Sequence, residues 1–198
     1  MRRAASTPLN MVLSVIVTCA VSAAGLTATY AMTSDRIAAQ EKAAEERALK
    51  SAFPGATEFA PVEQSMLDAA FDAAGETPVS GVFVASADGD SIGWAIRCAP
   101  RGYGGPMQMV VGVDRNGKVT GASVITQNET PGLGTKTLTE PSFLAQFQGW
   151  DASDVDKAAK AFDAVSGATK SSNGIRKGVL AAGYVYAEVL SSGGGEGQ

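Results

Sequence analysis

Histidine is absent from all 198 residues. It is the commonest metal ligand and the usual general base near neutral pH, so histidine-held haem, zinc hydrolysis and Ser-His-Asp chemistry are excluded for this chain acting alone. An electron handled here must travel on a cofactor that needs no histidine. Cysteine is almost as scarce. Cys19 and Cys98 stand far apart, and the first lies inside an apolar run, which argues against an intramolecular disulfide. Cys98 reads as a small buried residue, and Cys19 as part of a packed apolar helix. A basic face is missing as well. Lysine and arginine number 16 against 20 aspartates and glutamates, a net charge of -4 with a pI near 4.9. With no Lys/Arg cluster to meet phosphates, nucleic acid is excluded as a partner.

What the chain does have is one long uncharged stretch. From Ala4 to Ser34 no residue carries charge, and a helix needs only about 20 apolar residues to cross the hydrocarbon core. The apolar part of a cleaved signal spans about 7–15 residues, so this run is too long for one and reads as an uncleaved transmembrane helix. Arg2 and Arg3 precede it, which keeps that end in the cytoplasm and sends the remainder outside. Residues 35–52 mix both signs of charge among alanines and read as a solvated helical stalk. A single domain follows over 53–190, and the glycine-rich tail 191–198 reads as disordered.

The centre of that domain is strand-like. β-Branched runs at Pro78–Ala87, Ser91–Ala99, Pro106–Asp114 and Lys118–Thr126 are separated by Asp88-Gly89-Asp90 and Asp114-Arg115-Asn116-Gly117, whose Asp-Gly and Asn-Gly pairs favour tight hairpins. The expected class is α+β, with a mainly antiparallel sheet flanked by helices. Pro141 to Trp150 predicts a short helix. A longer one is expected after Ser172 or Asn173, either of which serves as an N-cap, with Ile175, Val179, Tyr186 and Val189 at helical spacing.

Two short runs carry the chemistry. QNETPGLGTK, Gln127 to Lys136, makes a restricted loop at a strand end and leaves Glu129, Thr130 and Leu133 to face whatever sits there. DAVSGATKSSNGIRKG, Asp163 to Gly178, gathers small residues and hydroxyls ahead of a helix start, where free N–H groups favour an anion and Lys170, Arg176 and Lys177 lie nearby. The Walker pattern fails here, because Ile175 follows Gly174.

The run DAVSGAT, Asp163 to Thr169, resembles the flavinylation motif Asp-x-x-Ser/Thr-Gly-Ala-Thr. That motif marks the FMN-binding domain found in the G subunit of Rnf complexes and in the C subunit of Na⁺-translocating NADH:quinone reductases. Further points of likeness are the N-terminal helix, FPGA at Phe53–Ala56, GYGGPMQMVVGVD at Gly102–Asp114 and ETPGLG at Glu129–Gly134. The short length favours the Rnf type. Gln127 stands where many members carry histidine.

The resemblance implies FMN joined through its phosphate to Thr169, with Asp163 and Ser166 completing the motif and Gly167 and Ala168 clearing space. It implies an ApbE-type flavin transferase as the modifying enzyme. It also implies that the Glu129–Gly134 loop lies against the isoalloxazine ring, with roles for Glu129, Thr130 and Leu133. The implied function is a single-pass electron carrier of the inner membrane, its flavin domain on the periplasmic side. Its partners would be the other members of a complex coupling ferredoxin:NAD⁺ electron transfer to Na⁺ or H⁺ transport. Catalytic residues and metal ligands of its own are not expected. Remaining readings are the C subunit of a quinone reductase, a free-standing flavinylated protein that exports electrons, and an anchored small-anion binding module without redox chemistry.

Overall fold

In the computed structural model, which describes residues 8–132, 134–154 and 162–191, five strands pair in the order in which the chain makes them. They are β1 (Glu58–Pro61), β2 (Val79–Ala87), β3 (Asp90–Cys98), β4 (Gln108–Asp114) and β5 (Val119–Thr126), each antiparallel to the next. Turn chemistry accounts for the meander. Asp88 (φ 54°) and Gly89 (φ 90°) both take positive φ, the geometry of a two-residue hairpin. Between β4 and β5, Asp114 Oδ1 accepts 2.8 Å hydrogen bonds from the N–H groups of Asn116 and Lys118 and holds the reversal shut. The strands expected from the sequence fall within two residues of these limits.

Both faces of the sheet are covered, and β4 makes the alternation plain. Met109, Val111 and Val113 enter the larger core, while Val110 joins a second cluster with Ala95, Ala48, Leu49 and Ala52. The larger core is closed by α2 (Gln64–Ala73), α3 (Lys136–Thr139), α4 (Pro141–Ala145) and α5 (Thr169–Val185). From α5 come Ile175, Val179, Ala182 and Val185, a buried stripe at helical spacing. A π-helical turn, Tyr186–Leu190, continues α5 and sets Tyr186 edge-on to Trp94 at 5.8 Å. Cys98 is fully buried here, its thiol donating to Gly178 O at 3.6 Å, and burial pushes it up to about 12, so it is inert.

The chain divides into two units, Met1–Ala43 and Ala44–Gln198. In the first, the helix α1 (Pro8–Ala52) contains a segment long and apolar enough to cross a membrane. The hydroxyls of Ser14, Thr18, Thr27, Thr29 and Thr33 each donate to the carbonyl four residues earlier at 2.8–2.9 Å, so the helix carries no unsatisfied hydroxyl donor at these positions into lipid. Arg2 and Arg3 lie outside the described residues. In the second unit, residues 44–52 lie on the sheet. Arg97 on β3 donates to Glu45 and to Ser80, and Thr120 Oγ1 donates to Ala52 O at 2.7 Å.

Three expectations need revision. Residues 58–73, where no element is expected from the sequence, form β1 and α2; only Ala70 of α2 is fully buried, so its apolar period is faint. Pro141–Trp150 is helical only to Ala145, because Phe147, Gln148 and Trp150 bond to carbonyls three residues back and Gly149 (φ 77°) ends the run. α5 begins at Thr169, ahead of the expected caps Ser172 and Asn173. Of the tail 191–198, Ser191 still bonds back to Ala187 O at 2.7 Å, and the rest lies outside the described residues.

A Cβ on Gly112 would collide with Ala52 O, a backbone atom that cannot move aside cheaply. Gly112→Ala is therefore expected to destabilise the domain by about 1–3 kcal/mol. Thermal unfolding of the full chain in detergent measures this, and an unchanged midpoint would mean that the end of α1 does not seat on the sheet.

Candidate functional site

The approach to α5 is built from the backbone outward. Phe162 packs on Phe143 and Phe147, with ring centroids 6.1 Å from each. One side chain then grips the next residue: Asp163 N–H donates to Gln146 Oε1 at 3.0 Å, and Asp163 O accepts from Gln146 Nε2 at 3.3 Å. Asp163 itself is exposed. A four-residue turn follows, closed by Ala168 N–H donating to Val165 O at 2.9 Å. Gly167 holds its third position at φ 79°, where a side chain would be strained. Thr169 is the next residue but one and opens the helix.

This local design explains why the helix starts ahead of its expected N-cap. Ser172 Oγ accepts a 3.0 Å hydrogen bond from Val165 N–H, so the serine braces the turn from inside the helix instead of starting it. Ala168 stands at the cap without a side-chain bond. The hydroxyls thereby fall into two sets. Ser166 and Thr169 are exposed, whereas Ser171 and Ser172 are 1% and 0% exposed.

Two cavities meet at Thr169. The larger, about 530 Å³, is lined by Glu76, Thr77, Arg101, Thr169, Lys170 and Lys177 among others. Among the described residues three cations face one carboxylate, and that carboxylate, Glu76, is paired with Lys177 at 3.3 Å. Thr77 is 5% exposed at the wall of this cavity. The smaller cavity, about 90 Å³, is lined by Tyr103, Gly134, Gly167, Ala168 and Thr169. Lys170 Nζ sits 5.6 Å over the Tyr103 ring, between the two. Arg176, expected beside the anion, lies over Phe162 at 5.4 Å and does not line either cavity.

The loop after β5 parts the residues that the sequence grouped. Thr130 is exposed, but Glu129 is 5% exposed and turned inward. Its Oε1 accepts from Gly104 N–H at 3.1 Å and its Oε2 from the Ser171 hydroxyl at 2.6 Å. Gln127 closes the loop by accepting from Glu129 N–H through Oε1. Leu133 lies outside the described residues. Sequence reading missed Thr77, Arg101 and Tyr103. The run GYGG was visible around Tyr103, but only the packing of the sheet with α5 brings it beside residues 134 and 169.

An antiparallel meander carries a threonine-headed helix start between two cavities, one of them cationic, an arrangement suited to holding an anion. The family model for the FMN-binding domain matches residues 102–183. The G subunit of the ion-translocating oxidoreductase complex of Aliivibrio fischeri is 33% identical over 174 residues, covering 81% of this chain and 81% of that protein. The G subunit of the Na⁺-translocating ferredoxin:NAD⁺ oxidoreductase complex of Acetobacterium woodii is 29% identical over 114 residues, 53% of this chain and 54% of that protein. The crystal structure of the C subunit of Na⁺-translocating NADH-quinone reductase from Parabacteroides distasonis shares the fold, with a TM-score of 0.54 at 21% identity over 78% of this chain and 96% of that one. The chain belongs to the family of G subunits of ion-translocating oxidoreductase complexes, and α1 contains a segment long and apolar enough to anchor it in a membrane.

Ser172→Ala leaves the buried Val165 N–H without an acceptor, a cost of about 1–3 kcal/mol. Faster amide exchange at Val165 and a lower unfolding midpoint are expected. Wild-type exchange at Val165 would show that another group braces the turn.

Proposed function

We propose that this chain carries FMN through a phosphoester to Thr169 and passes electrons within an Rnf-type membrane complex. The observation that carries this reading is the sorting of hydroxyls: within a DAVSGAT run, Thr169 is exposed at the first residue of α5 between two cavities, while Ser171 and Ser172 are buried. The residues present fit the group. The cavity beside Thr169 is cationic, and the helix start offers N–H groups to a phosphodiester. Thr77 adds a hydroxyl-bearing side chain to the same wall.

FMN, when bound, supplies one-electron redox chemistry that the side chains lack. Thr169 Oγ holds the phosphate, and Lys170 and Arg101 offset its charge. Gly167 and Ala168 keep the approach clear of side chains. Tyr103, 66% exposed, covers the smaller cavity with an aromatic face. Thr130, with Leu133 two residues beyond the loop's proline, belongs to the loop expected against the ring. Glu129 contributes from behind, since its carboxylate is engaged by Gly104 and Ser171.

A covalent tether suits a domain outside the cytoplasm, where a dissociable flavin would be lost by dilution. The donor would be FAD: the Thr169 hydroxyl oxygen bonds to the FMN phosphorus, the pyrophosphate bond breaks, AMP leaves, and an ApbE-type transferase takes the hydroxyl proton, so no general base is required of this chain. The proposed complex couples ferredoxin:NAD⁺ electron transfer to Na⁺ or H⁺ transport, with its other members as partners; the name of the relative from Acetobacterium woodii supports the ferredoxin:NAD⁺ part of this reading. The proposed location is the inner membrane with the flavin domain on the periplasmic side, a reading supported in its orientation by Arg2 and Arg3 ahead of the apolar run.

Mass spectrometry of the chain coexpressed with the transferase is expected to show one FMN adduct, absent from Thr169→Ala. An adduct that moved to Ser171 or Ser166 at unchanged yield would sink the assignment. For topology, a C-terminal reporter active only in an oxidising compartment should be active, and activity of a cytoplasm-only reporter at that position would reverse the orientation.

A further inference from the structure

Glu129 is a carboxylate in the interior with no ion pair among the described residues. Burial of such a group costs free energy that its hydrogen bonds only partly offset, and an apolar residue of the same size would cost less. The surroundings are nonetheless shaped to it. A Cβ on Gly102 would collide with Oε1, a Cβ on Gly134 would collide with Oε2, and a Cβ on Gly104 would strike the backbone of Asn128 and Glu129. The two oxygens are then used separately, Oε1 by Gly104 N–H at 3.1 Å and Oε2 by Ser171 Oγ at 2.6 Å. One side chain thus joins the segment before β4, the loop after β5 and the first turn of α5.

From this geometry we infer that Glu129 is a positioning residue for Thr169. The inference rests on Thr169 being the flavin-bearing residue and deepens that reading. Ser171 lies two residues after Thr169 in the same turn, so fixing its hydroxyl fixes the rotation and height of the helix start. The other side of that start is held by Ser172 Oγ on Val165 N–H at 3.0 Å. Thr169 Oγ therefore projects from a turn gripped on two sides, and its direction between the two cavities is set before any ligand arrives. Preorganisation of this kind matters because a reacting atom displaced by about 1 Å reacts up to roughly a hundredfold more slowly. The role needs a hydrogen bond to each of Gly104 and Ser171, in either direction at Ser171, and does not need charge. A glutamine amide can accept from Gly104 N–H through Oε1 and donate to Ser171 Oγ through Nε2.

The test is the rate at which the full-length chain in detergent acquires FMN from FAD with purified transferase, followed by intact mass well below the unfolding midpoint. Glu129→Ala is expected to load roughly tenfold to a hundredfold more slowly than wild type. Glu129→Gln should recover the rate to within about twofold, a rescue that follows from keeping both bonds. Ser171→Ala, which removes one hydroxyl only, should slow loading by several-fold and carries the test if Glu129→Ala does not fold. Loading of Glu129→Ala, or of Ser171→Ala in its place, at the wild-type rate would overturn the inference and leave Thr169 as the attachment site. A glutamine variant as slow as the alanine variant would also overturn it, by making charge the requirement. A wild-type chain that acquires no adduct on Thr169 would overturn the reading beneath it.

Discussion

The turn from Val165 to Ala168 is the constraint on which the site depends. Its 2.9 Å closing bond and the positive φ of Gly167 bring the chain round so sharply that the helix begins at the very next residue. A helix started one residue later would carry each hydroxyl about 100° further round the axis. In the observed register, Thr169 and Ser166 point to solvent while Ser171 and Ser172 are sealed inside as braces. Hydroxyls of similar chemistry are thereby given different work by position alone.

Charge is arranged around that start in two layers. Outside, Arg101, Lys170 and Lys177 border an open cavity of about 530 Å³. Inside, the Glu129 carboxylate accepts from Gly104 and Ser171 and keeps to the core. An anion arriving at the helix N-terminus meets cations and free N–H groups first, while the opposing carboxylate is already engaged. The sheet supplies the rigidity this separation requires, since β4 is buried on both faces and the loops at its ends inherit fixed positions.

The anchor solves a different problem with the same hydrogen-bond rules. Its threonines and serines return their donors to the helix backbone, which suits a medium that offers no water. In the sheet-bound unit the equivalent donor, Thr120 Oγ1, reaches across to Ala52 O and fastens residues of distant sequence position.

Much of the fold was legible in sequence because its signals are local. Asp-Gly and the Asp114–Gly117 turn dictate hairpins through φ preferences of single residues, and alternation places β4. The uncharged, apolar run from Ala4 to Ser34 is long enough for a membrane segment, a signal of length and composition that needs no tertiary structure. Thr169 was singled out differently, by the resemblance of the DAVSGAT run to a flavinylation motif. The inward turn of Glu129 was not legible, because its partners Gly104 and Ser171 lie 25 and 42 residues away in sequence. The start of α5, the burial of Ser171 and Ser172, and the convergence of Thr77, Arg101 and Tyr103 on Thr169 were hidden for the same reason. A propensity or a spacing belongs to neighbouring residues and survives in the sequence. Which hydroxyl faces water, and which carboxylate is enclosed, depends on atoms brought together only when the sheet and α5 have packed.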